Sequence, residues 1–91
     1  AAEAGAMGLV NRVVPVAELD GAVADLAGQI AANAPLTVKA AKAAIAEVVK
    51  DPERRDLARV DHMIEACFQS EDYIEGRRAF MEKRQPEFRG H

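Results

Sequence analysis

The stretch PLTVKAAKAAIAEVVKDPERRDL, residues 35–57, decides how the chain is built. Pro35 suits a first helical position, because the N–H it lacks would be unpaired there anyway. Alanine dominates the run that follows, and Val38, Ala41, Ile45 and Val48 or Val49 recur at helical spacing. This spacing predicts a helix with a narrow, alanine-lined buried side. Asp51-Pro52 then joins a capping acceptor to a residue that fits a first turn, which predicts that a second helix starts there. The pattern is helix against helix.

Working outward toward the N-terminus, Leu19, Val23, Leu26 and Ile30 give residues 16–33 one apolar face, with Glu18, Asp20 and Asp25 elsewhere. Toward the C-terminus, Leu57, Val60, Ile64, Cys67 and Phe68 form the apolar face of the next helix, and Arg54, Arg55, Arg59 and Asp61 its wet face. Ser70 is placed to cap a last helix. Glu71 and Asp72 stand in its first turn and Lys83 and Arg84 in its last, all favourable against the helix dipole. Pro86 and Gly90 are expected to end the order, with His91 loose at the terminus. At the other end, Ala1 to Met7 is helix-forming and Gly8 fits the position past a helix end. Leu9 to Val14 is rich in β-branched residues and closed by Pro15, so it is the strand candidate. A strand needs a neighbour, and nothing else in the chain offers one. The expectation is an all-α chain of about four helices with one short strand candidate near the N-terminus. AAEAGAMG has no initiator methionine and starts as if a helix were already under way, so the chain is expected to be a piece of a longer one.

Ninety-one residues make one small domain at most. Apolar residues account for 49% but aromatics for only 4%, so the core should be thin and partner chains would help. The net charge of −3, with acids and bases interleaved, supplies no field to attract nucleic acid or a membrane surface. No apolar run reaches bilayer-spanning length, and the N-terminus has no signal-like pattern. Cys67 is single, which rules out an internal disulfide framework and makes the cytoplasm the default compartment.

Candidate chemistry is sparse. His62 has no second ligand at metal-binding spacing and reads as structural, so no metal site is expected. Cys67 reads as a small buried hydrophobe and Lys39 and Lys42 as a solvated face. Glu65, Glu71, Asp72 and Glu75 read as surface and dipole residues, since nothing suggests a pocket to shift their pKa values. There is no Gly-rich phosphate loop and no G-x-S-x-G elbow, and no residue is assigned a catalytic role. One stripe stands out. Arg77, Phe80, Lys83 and Arg84 share a helix face at three- and four-residue spacing, giving a flat apolar centre with cationic flanks. Phe80 could stack on an adenine and Lys83 could meet a phosphate. Ordinary helix packing with solvated charges fits equally well.

Three segments in order carry a resemblance: EAGAMGLVNRVVP followed by EL, then APLTVKAAKAAI, then CFQSEDYIEGRRAFMEKRQPEF. Together they cover essentially the whole chain, which resembles the C-terminal part of the enoyl-CoA hydratase/isomerase (crotonase) superfamily. The resemblance implies a parent enzyme with an N-terminal ββα spiral and a C-terminal helical region that drives trimers, often paired as a dimer of trimers. Residues 1–15 would be the tail end of the spiral and 16–91 the helical oligomerisation region. It implies acyl-CoA as the parent's substrate, with no tightly bound cofactor. Phe80 and Lys83 correspond to an aromatic and a lysine that reach CoA held mainly by a neighbouring subunit. It further implies an oxyanion hole and catalytic glutamates upstream of Ala1, leaving this chain without turnover but able to form a homo-oligomer, rearranged or swapped. Hydration of trans-2-enoyl-CoA in fatty-acid metabolism is the leading expectation for the parent. An isomerase or another acyl-CoA enzyme of the superfamily, or a self-standing helical interaction module, are the alternatives.

Overall fold

The structure is a computed structural model that describes all residues, Ala1–His91. Five α-helices form and there is no strand: α1 (Ala2–Ala6), α2 (Leu19–Ala31), α3 (Pro35–Val48), α4 (Leu57–Gln69) and α5 (Glu71–Glu82). Single 3₁₀ turns at Val16–Glu18 and Pro52–Arg54 precede α2 and α4. The chain divides into two compact units, residues 1–30 and 31–91.

In the first unit, α1 is closed by Gly8 at φ 73°. The Gly8 N–H donates to the Gly5 carbonyl and the Leu9 N–H to the Ala4 carbonyl, at 3.1 and 2.9 Å. The strand candidate Leu9–Val14 does not form: the segment bends after Gly8 and runs on without regular structure. With no strand to pair against, its β-branched residues have no ladder to join. Instead Val13 comes back to α1, where its Cγ2 sits 3.2 Å from the place a Cβ on Gly5 would take. Further on, α2 carries Leu19, Val23, Leu26 and Ile30 as expected, and all four are about half exposed.

In the second unit, α3 packs on α4 and α4 on α5. The face that α3 buries differs from the expected one. Ala40 and Glu47 are buried and Leu36, Val38, Ala43 and Ala44 half-buried, so Val38 is partly covered as expected, whereas Ala41, Ile45, Val48 and Val49 are exposed. Small side chains allow the closest approach of two helices, and α4, with Val60 buried, packs on α3 while Ile45, Val48 and Val49 stay outward. The core is correspondingly thin: Ala40, Val60 and Ala79 are its buried apolar residues.

Helix α4 starts later than Asp51-Pro52 suggests. Those two residues open only the 3₁₀ turn, and the cap of α4 is Asp56, whose Oδ1 accepts the Arg59 N–H at 3.0 Å. The reason lies in Glu47. Its carboxylate is 2% exposed, takes the Lys50 ammonium at 2.7 Å and accepts the Asp56 N–H at 2.9 Å. Arg55 adds bonds to the Lys50 and Val48 carbonyls, so the 49–56 connection is tied down before α4 begins. The Lys50 contact, followed by the Asp56 amide, holds the Glu47 carboxyl below its ordinary pKa.

Candidate functional site

Ser70 caps α5 as its position suggests, with Oγ accepting the Tyr73 N–H at 3.1 Å and the hydroxyl donating to the Cys67 carbonyl at 2.7 Å. Phe68 meets the edge of Tyr73 across this junction, and Arg77 lies 5.8 Å from the Tyr73 ring centre. Arg77, the first residue of the expected stripe, thus pairs with Tyr73, which lies outside it. The stripe also outruns the helix.

Helix α5 stops at Glu82, and Lys83 turns into the left-handed conformation at φ 55°, ψ 39°, the one residue other than glycine with positive φ. Helical spacing no longer governs where Lys83 and Arg84 project. Phe80 stays on the helix with 81% of its surface exposed, and Lys83 is exposed beyond the helix end and takes part in no ion pair. Arg84 leaves the stripe altogether. Its guanidinium forks onto both carboxylate oxygens of Glu75 at 2.6 and 2.9 Å and reaches Glu82 through Nε at 2.6 Å.

Beyond Arg84 the chain neither frays nor ends its order at Pro86. It runs back along α5, fastened by two carboxylates one turn apart. Glu75 also accepts the Glu87 N–H at 3.0 Å, and Asp72 accepts the Arg89 and Gly90 N–H groups at 2.6 and 2.8 Å. The Asp72 N–H in turn donates to the His91 carbonyl at 3.1 Å. Phe88 lies over Gly76, its ring edge 3.4 Å from where a Cβ would stand, and Gly90, at φ 85°, packs beside Pro35 at the start of α3. Asp72 and Glu75, expected to be surface residues, are thus the anchors of a C-terminal strap. Asp72 is only 4% exposed. The spacing of these two acids on one face, followed by a guanidinium and a proline past the helix end, is the signal that sequence reading passed over.

Arg84, with the Glu87 amide behind it, pulls the Glu75 carboxyl down to about 2, and Glu75 foremost raises the Arg84 guanidinium. Beside this clasp lies an open groove of about 650 Å³ lined by Glu71, Asp72, Ile74, Glu75, Arg78, Arg84, Glu87 and Arg89. Phe80 and Lys83 are not part of it. Several of its charges are already bound to one another, so its chemistry is that of a fastening. The Phe80 ring and the Lys83 ammonium stand exposed at the end of α5, outside this groove.

The sequence matches the enoyl-CoA hydratase/isomerase family over residues 1–91. A methylmalonyl-CoA decarboxylase of Escherichia coli is 37% identical over 88 residues, covering 94% of this chain and 34% of that protein. An enoyl-CoA hydratase of Mycobacterium tuberculosis is 43% identical over 89 residues, covering 97% of this chain and 33% of its own length. Among solved structures, a probable enoyl-CoA hydratase/isomerase of Mycobacterium abscessus superposes with a TM-score of 0.81 at 36% identity, over 98% of this chain and 35% of that one. The chain spans about a third of the length of the relatives it matches. With the match running from the first residue to the last, the chain belongs to the enoyl-CoA hydratase/isomerase family.

Proposed function

We propose that this chain is the C-terminal, assembling segment of a cytoplasmic enzyme that acts on CoA thioesters, and that Phe80 and Lys83 reach the nucleotide end of a CoA held chiefly by a neighbouring subunit. The observation that carries this reading is the surface left uncovered. Large apolar side chains stand exposed on helices, on the Leu19, Val23, Leu26, Ile30 side of α2 and the Ile45, Val48, Val49 side of α3. Such faces fit other polypeptide, in a trimer or a dimer of trimers.

The proposed reaction of the whole enzyme is hydration of trans-2-enoyl-CoA in fatty-acid breakdown, through an enolate held by an oxyanion hole. The proton-moving residues are placed outside these 91 residues. Three carboxylates support this. Glu47, Asp72 and Glu75 are each committed to backbone amides or cations, and Glu47 and Glu75 are shifted downward, the wrong direction for a general acid at neutral pH.

The test has two arms. In the full-length gene product, Lys83→Ala should raise the KM for crotonyl-CoA about two- to fivefold, as loss of an exposed ionic contact does, with kcat unchanged. An unaltered KM would remove Lys83 from the site. Light scattering of the isolated 91-residue chain should show association at micromolar concentration, and a well-folded monomer would contradict the assembling role.

A further inference from the structure

The chain closes two helices with the same backbone device. At the end of α1, Gly8 is left-handed, its N–H bonds to the carbonyl three residues back, and the next N–H, of Leu9, bonds to the carbonyl five residues back. At the end of α5, Lys83 and Arg84 repeat it, with Lys83 N–H to Phe80 O at 3.3 Å and Arg84 N–H to Ala79 O at 3.0 Å. Glycine is the usual occupant of the left-handed position, and an apolar residue usually follows it and packs on the helix. Gly8-Leu9 has the residue types of that rule, with Leu9 76% exposed. Lys83-Arg84 breaks it twice, with a side chain that resists left-handed backbone and a cation where an apolar residue belongs.

The two departures are linked. A lysine at φ 55° persists only where its surroundings over-determine it. Here the residue after it is clamped at three points, two on Glu75 and one on Glu82. Glu75 is further fixed by the Glu87 amide, so the clamp joins the body of α5, its last residue and the returning strap. We propose that Arg84 is the positioning residue of the CoA contact: its clasp on Glu75 and Glu82 holds Lys83 left-handed, so that the lysine ammonium leaves the helix end in one direction, toward the phosphate-bearing end of a CoA thioester. This rests on the proposed contact between Lys83 and CoA. A glycine at position 83 would close the helix more easily but carry no ammonium, and a lysine without the clasp would carry the ammonium on a fraying end.

The experiment is a double-mutant cycle on CoA binding by the full-length gene product, measured by calorimetric titration with free CoA. Lys83→Ala and Arg84→Ala should each weaken binding about two- to fivefold, and the double variant should bind no more weakly than Lys83→Ala alone. A merely structural role for Arg84 would persist at full size in the Lys83→Ala background and would overturn the inference. Normal affinity in Arg84→Ala with weakened affinity in Lys83→Ala would also overturn it while leaving the CoA contact standing. Normal affinity in Lys83→Ala would overturn both. Should Arg84→Ala not fold, Glu75→Gln loosens the same clasp from its other side and enters the cycle in its place, with the same outcomes.

Discussion

Replacing Lys83 with glycine separates the stability of the α5 terminus from its use. A left-handed residue with a Cβ costs about 1–2 kcal/mol, which glycine would recover. Glycine also loses more backbone freedom on folding, a penalty of about 0.5–1 kcal/mol. Lys83 is exposed, and its side chain makes no hydrogen bond or ion pair that would be lost. The balance centres on a gain of about 0.75 kcal/mol, or roughly 3–6 °C in Tm for a chain of this size. Lys83→Ala is the control, because alanine keeps the left-handed penalty and should leave Tm nearly unchanged. The assay is a thermal melt followed by circular dichroism at one fixed protein concentration, since association would shift Tm by itself. A Lys83→Gly variant that melts at or below the wild-type temperature would refute the claim that this position holds strain. If CoA binding falls in the same variant, stability and ligand contact will have been shown to pull the position in opposite directions.

Two further outcomes follow from the strap. Asp72→Ala removes the acceptor of the Arg89 and Gly90 N–H groups, and hydrogen bonds to a charged group are each worth about 1.5–3 kcal/mol; hydrogen exchange should show those two amides losing protection while α3 and α4 keep theirs. Protection unchanged in the variant would mean that the strap is held by something else. Acid should loosen the clasp in a defined window. Because the Glu75 carboxyl is pulled from its usual 4.5 to about 2 in the folded chain, its contribution is complete above 4.5 and disappears as pH falls from there toward 2. Glu75→Gln should flatten the decline of Tm across that window, and an identical decline in both proteins would show that the ion pair does not couple to folding.

The helices were legible because their signals are local. Pro35 and Ser70 sit at helix starts for reasons contained within one turn of chain, and Gly8 marks a helix end in the same way. What sequence could not supply was the partner of each face. On α3 both Ile45 with Val48 and the side holding Ala40, Ala43 and Ala44 could be buried, and hydrophobicity alone favours the side with Ile45 and Val48. Helix α4 packs on α3 while Ile45 and Val48 stay outward, a decision made by packing and not by composition. The start of α4 was displaced from Pro52 to Leu57 by Glu47, nine residues before Asp56 and on another element. Asp72 and Glu75 read as surface acids and Arg84 as part of a stripe, and their role as anchors stays hidden for a similar reason. Their bonds link residues 9 to 18 apart through an irregular segment, where neither the period of a helix nor that of a strand applies. Phe80 and Lys83 were named from a stripe, yet the stripe ends one residue before Lys83.

Terminal residues are ordinarily the easiest part of a polypeptide to shorten or extend. In this chain the last few are fastened to the first turn of α5, and through Gly90 they rest on the start of α3. Trimming after Phe88 would delete both amides that bond to the Asp72 carboxylate. Residues 89–91 therefore act as a fastening of the helical body, and labels belong elsewhere.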